Sequence, residues 1–164
     1  MSTKDSEPLI LYTDGACLGN PGPGGWAYVL MANGHITEDS GGEPHTTNNK
    51  MELLSAIEGI GATRLGASIV VVTDSEYVRQ GMMSWTTGWQ RNGWKTKTGQ
   101  PVKNKELWQA LLELVSRRSV HWEWVKGHVP SALGGDEFNH RCDDLARTAA
   151  KTASEQGSAT AFRP

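Results

Sequence analysis

The chain has only two cysteines, Cys17 and Cys142, in 164 residues. They are too few for a disulfide framework and lack the C-x-x-C spacing of a metal clip. Both read as packing residues, and a reducing, cytoplasmic setting is expected. Long apolar runs are missing too. None approaches the roughly 18 residues a membrane helix needs, so no membrane association is expected. Residues 1–8 mix both signs of charge with polar groups and are expected to be a flexible N-terminus, not a secretory signal. Two catalytic signatures are absent. There is no G-x-S-x-G element, so nothing supports a serine hydrolase. The glycines between Gly19 and Gly24 are spaced like a phosphate loop, but Gly25-Trp26 stands where Lys-Ser/Thr is required.

Acidic residues are absent from one stretch. Arg79, Arg91, Lys95, Lys97, Lys103 and Lys105 follow one another with no Asp or Glu between them. The other 10 basic residues are set against all 18 acidic ones. The basic stretch also holds Trp85, Trp89 and Trp94. Cations interleaved with aromatics suit a surface for nucleic-acid backbone and bases; they equally suit a solvated loop over a small Trp cluster.

What remains is ordinary for a globular domain: 37% hydrophobic and 21% charged residues. One domain is expected over 9–154, with 88–103 as a basic protrusion and 155–164 as a disordered tail. Leu9–Thr13 reads as a strand stopping at Asp14-Gly15. Gly24–Met31 and His35–Gly42 flank the turn pair Asn33-Gly34, a hairpin signal. Met51, Leu54, Ile57 and Ile60 recur at helical spacing. Thr46, Thr47, Asn48 and Asn49 stand before them as candidate caps. Ser68–Thr73 is an apolar run that reads as a buried parallel strand. Short helices are expected at Tyr77–Gly81 and Met82–Thr87, and an extended excursion over Gly88–Val102. Asn104 is expected to cap a further helix. His121–Val125 alternates as a last strand, and Cys142, Leu145, Ala146, Ala149, Ala150 and Ala153 form a final helical stripe. This order predicts an α/β fold, a mixed five-stranded sheet with helices packed against it.

Two strands end alike, one in Asp14-Gly15 and one in Asp74-Ser75. As parallel neighbours they would bring Asp14 and Asp74 out together at their carboxyl ends, where open α/β sheets bind ligands. Glu52 and Asp143 each sit beside the buried stripe of a helix. Taken singly, each acid reads as a turn former, a cap or a solvated helix residue. Taken together, four such carboxylates need a counter-ion. Hard oxygen donors point to Mg²⁺ or Mn²⁺, and a pair of ions can clamp the attacking and leaving oxygens of a phosphodiester. His128, in a glycine-rich loop, is either a surface imidazole or a proton shuttle.

Five stretches in order carry a resemblance. They are Tyr12–Gly25, Thr46–Leu53, Thr73–Arg79, Trp124–His128 and Arg141–Ala146. Together they resemble the bacterial ribonuclease HI family. The resemblance implies a ribonuclease H-like fold with helices on both faces of the sheet. It implies an endonuclease cutting the RNA strand of an RNA–DNA hybrid with two Mg²⁺, or Mn²⁺ in substitution, and leaving 5′-phosphate and 3′-hydroxyl ends. By motif position Asp14, Glu52, Asp74 and Asp143 bind metal, and His128 assists proton transfer or product release. Asn20, Asn48 and Asn49 match minor-groove contacts, and Thr47 and Asn104 match a DNA phosphate pocket. Trp85 matches an aromatic on the DNA strand. Glu76, Arg91, Trp94, Lys95 and Lys97 complete the substrate-binding set, and a monomer is expected. Three departures stand out. The segment after His128 is longer than usual. Gln90-Arg91-Asn92 is less basic than in close relatives. Glu76 stands where Gln is frequent, and a carboxylate donates no hydrogen bond.

Overall fold

A computed structural model describes residues 7–125 and 136–161. Its sheet has five strands: β1 Leu9–Cys17, β2 Gly22–Ala32, β3 His35–Thr46, β4 Ser68–Thr73 and β5 Ser119–Trp124. Their order across the sheet is β3-β2-β1-β4-β5. β1, β2 and β3 form an antiparallel meander. β4 runs parallel to both β1 and β5, so the sheet is mixed, as the sequence pattern predicts. The Asn33-Gly34 turn has φ of 52° and 81°. Two successive positive values match the twist of a tight hairpin.

Helices cover both faces. α1 (Asn48–Gly61), α2 (Glu76–Gln80), α3 (Thr86–Arg91) and α4 (Lys105–Ser116) lie on one face. There Leu11, Ile69 and Val71 of the sheet meet Leu53, Ile60, Val78, Trp108 and Leu111. α5 (Asp136–Ala161) covers the other, packing Cys142 and Ala146 on Tyr12, Ala27 and Val29. Small residues let it lie close: a Cβ on Gly25 would strike the backbone of Ala146 and Ala150. No helix among the described residues is long and apolar enough to cross a membrane.

Four elements differ from the expectation. β1 does not stop at Asp14; it continues to Cys17, because Gly15, Ala16 and Cys17 stay paired with Trp26, Gly25 and Gly24 of β2. The ladder overrides the turn preference of Asp-Gly. The stretch Gly88–Arg91 is not extended but belongs to α3. Helix α2 runs into α3 through a π-helical turn, Gly81–Trp85. There the Gly81 carbonyl accepts both the N–H and, at 2.9 Å, the hydroxyl of Thr86. Gly81 has no room for a side chain, since a Cβ would overlap the Trp108 ring. Asn104 precedes α4 but does not cap it with its side chain; its φ is 59°, and the amide turns to Tyr77 instead. Finally, the backbone of α5 stays helical to Ala161, past the start of the expected disordered tail at 155. The helix carries on through Gly157, a poor helix former on its own.

Candidate active site

The β1–β4 register fixes the first pair of acids. Leu9 through Tyr12 pair in step with Ile69 through Val72, so Asp14 and Asp74 stand level, two positions beyond the last pair. Asp14 is half-buried inside the β1–β2 ladder opposite Ala27, and Asp74 is exposed just past β4. Cys142 brings the third acid. Its buried thiol lies 3.3 Å from the Ala27 carbonyl and 3.6 Å from that of Tyr12. This seats α5 on β1 and β2 and sets the next residue, Asp143, over Asp14. The fourth acid, Glu52, comes from α1. Thr47 caps that helix, accepting the Lys50 N–H at 3.3 Å.

Electrostatics join these groups. Asp14 is pushed up to about 8, first by burial and then by the negative charges of Asp74 and Asp143. A hydrogen bond shared with Asp143 adds to the rise, while the Gly15 N–H at 2.9 Å opposes it. Burial also raises Glu52. Donation from Ser75 opposes this, the charge of Asp74 adds to it, and donation from Asn48 opposes it again. Asp143 pairs with Arg147 one turn along α5 at 3.0 Å. All four predicted carboxylates thus meet at one corner of the sheet. Among the described residues, no group of three or more His, Cys, Asp or Glu side chains is arranged so that it could hold a metal ion as it stands. The donor set itself fits a hard dication: every donor is a carboxylate oxygen, and Asp14 is raised by burial and by the charges of Asp74 and Asp143 beside it.

The predicted substrate-binding residues lie around this corner. The Asn48 N–H donates to Asn20 Oδ1 at 3.1 Å, which ties the β1–β2 loop to the start of α1. Thr47 and Asn49 are exposed beside them. A groove of about 600 Å³ runs between Lys50 and the segment Pro101–Leu107, with Asn104 and Lys105 in its wall. Lys50, which the sequence reading passed over, is held there by Glu43 at 2.8 Å.

Further along, Tyr77, Trp85, Trp89, Thr96, Val102 and Lys103 line a largely aromatic recess of about 360 Å³. Trp85 is 36% exposed and packs edge-on to Tyr77. Trp94 is half-buried against Trp89, so it supports the recess instead of standing free. Arg91, Lys95 and Lys97 are exposed. Glu76, exposed on the first turn of α2, pairs with Arg79 at 3.3 Å. His128 lies outside the described residues. The sequence reading also missed Ser75, whose only signal is its place as a serine opening a helix, three residues before Val78.

A mixed five-stranded sheet with helices on both faces and acids gathered at the carboxyl ends of its central strands defines a ribonuclease H-like α/β protein. Sequence comparison narrows the class. The RNase H family profile fits residues 6–151. Ribonuclease HI of Pseudomonas aeruginosa is 51% identical over 142 residues, covering 87% of this chain and 93% of that protein. The crystal structure of LC9-RNase H1, a type 1 RNase H with the type 2 active-site motif, superposes with a TM-score of 0.74 at 35% identity. It spans 88% of this chain and 72% of the other. LC11-RNase H1, crystallised in complex with RNA/DNA hybrid, gives 0.62 at 24% identity, over 88% and 98% of the two chains, and shows the fold alone. The chain belongs to the RNase H family, and its activity is that of a ribonuclease H, a nuclease.

Proposed function

We propose that the protein hydrolyses the RNA strand of RNA–DNA hybrids, leaving 5′-phosphate and 3′-hydroxyl ends. The observation that carries this reading is the convergence of Asp14, Glu52, Asp74 and Asp143 beside a cationic, tryptophan-rich surface. These four carboxylates would hold two Mg²⁺, or Mn²⁺ in substitution, which when bound supply an activated water and stabilise the leaving oxygen.

The chain's own groups position the substrate. Asn20, Asn48 and Asn49 face the minor groove, where the 2′-hydroxyl separates RNA from DNA. Thr47 still has its hydroxyl proton to donate, since it accepts as a cap. With Asn104 it grips a phosphate of the DNA strand. Trp85 packs on that strand, and Lys95, Lys97 and Arg91 neutralise its backbone. Glu76 accepts but does not donate at a base edge. His128 assists proton transfer or product release. Every group named comes from a single chain, so a monomer suffices. The unbridged Cys17 and Cys142 suit a reducing compartment.

The test is cleavage of an end-labelled RNA–DNA duplex with and without Mg²⁺. Asp14→Asn is expected to abolish turnover while hybrid binding is retained. A fully active Asp14→Asn enzyme overturns the reading. Preferential cleavage of all-DNA duplex would point instead to a DNA-processing nuclease of the same fold.

A further inference from the structure

Ser75 follows Asp74 directly and is buried, only 5% exposed. Its hydroxyl is fully committed. Oγ accepts the Val78 N–H at 3.1 Å, which caps α2, and donates to Glu52 Oε2 in a short hydrogen bond. Its backbone is held on both sides. The Ser75 N–H donates to Thr73 Oγ1 at 3.1 Å, and its carbonyl accepts from the Arg79 N–H at 3.0 Å. With the cap fixing the rotamer, the hydroxyl proton has one direction left, toward Glu52.

The other oxygen of Glu52 is held separately. Asn48 Nδ2 donates to Oε1 at 2.9 Å, and Asn48 is itself anchored through Asn20. The two donors approach from different elements, the first turn of α1 and the β4–α2 junction. A glutamate has three rotatable bonds, and this one sits half-buried beside the like charge of Asp74. Left alone it would swing away from that charge. A lysine or arginine would hold it in place but compete with a dication for the same oxygens. A neutral hydroxyl holds it and adds no charge.

We propose that Ser75 is a positioning residue. Its hydroxyl, aimed by the α2 cap, locks the Glu52 carboxylate beside Asp74, so that the two acids meet a divalent cation as one unit. Ser75 itself touches neither the cation nor the substrate. The proposal rests on reading Glu52 and Asp74 as metal ligands, and its test separates the two ideas.

Ser75→Gly removes the hydroxyl while glycine remains a tolerated N-cap. Mg²⁺ binding to the whole protein, measured by titration calorimetry without substrate, is expected to weaken roughly tenfold, the loss of one hydrogen bond to a charged group. Turnover at limiting Mg²⁺ falls with it, and KM for hybrid stays within about twofold of the parent. Ser75→Thr, which keeps both bonds, restores Mg²⁺ affinity. Ser75→Cys, close in volume but a weak donor, covers the case in which glycine loosens the start of α2. In a Glu52→Gln background, Ser75→Gly produces no further loss of affinity; a further loss would mean that Ser75 acts through the fold and not through Glu52. Parental Mg²⁺ affinity in both the Gly and Cys variants overturns the proposal. If Glu52→Gln alone leaves Mg²⁺ affinity unchanged, it is the ligand reading that fails.

Discussion

Gly15 lies against the backbone of Glu52. A Cβ added to it would fall 2.6 Å from the Glu52 nitrogen and 2.6 Å from the Met51 carbonyl carbon. Neither atom belongs to a flexible side chain, so relief requires α1 to move off β1. This close approach sets how far the helix carrying Glu52 stands from the strand carrying Asp14. Gly15→Ala is therefore expected to destabilise the protein by about 1–3 kcal/mol, the usual cost of overpacking. It is also expected to lower kcat more than it raises KM. Thermal unfolding and steady-state kinetics check both parts. A variant with parental kcat would show that the separation of the two acids is set elsewhere.

Tyr77 links the aromatic recess to the groove beside it. Its hydroxyl accepts from Asn104 Nδ2 at 3.1 Å and from Trp108 Nε1 at 3.1 Å. Trp108 is fully buried, so no water replaces the missing acceptor. Tyr77→Phe leaves that donor unpaired, at a cost of about 1–3 kcal/mol. It also frees an Asn104 amide that makes no cap bond to α4. The expected outcome is a lower Tm together with a few-fold rise in KM for hybrid at nearly parental kcat. If Tm falls and KM does not move, Tyr77 supports the core alone and Asn104 is aimed by something else.

Strong local signals survived folding. The apolar run of β4 is the central parallel strand, the Asn33-Gly34 pair is the tight turn, and Thr47 is the one of four neighbouring candidates that caps α1. The four carboxylates were legible because each is tied to such an element: two follow apolar runs of the sheet, and two flank buried helical stripes. Tertiary forces decided the rest. Asp14-Gly15 looks like a turn until β2 is paired alongside it. Thr86-Thr-Gly-Trp89 has weak helix formers, yet it is helical because Thr86 bonds back to Gly81 and Trp89 packs on Trp108. Asn104 carries a helix-capping side chain, but the hydroxyl of Tyr77, 27 residues away, claims it. Ser75 was silent because one serine after a strand has no meaning until Glu52 arrives from another helix.

Lys95 and Lys97 offer the most direct test of the cationic surface. Both are exposed, on a stretch whose ends are pinned by the Lys95–Pro101 bridge and by the Val102 N–H on the Trp94 carbonyl at 3.2 Å. That pinning fixes the backbone, so alanine at either position removes charge without loosening the fold. If the two ammonium groups neutralise phosphates, removing them also removes counter-ion release. The plot of log affinity against log salt then flattens by roughly 0.9 for each phosphate left unneutralised. The Lys95→Ala/Lys97→Ala protein is expected to show a raised KM at physiological salt, a shallower salt dependence and little change in kcat. Measuring hybrid cleavage across a salt series decides the matter. An unchanged slope would mean that this segment does not touch the nucleic-acid backbone, and that the aromatic recess beside it acts without charged support.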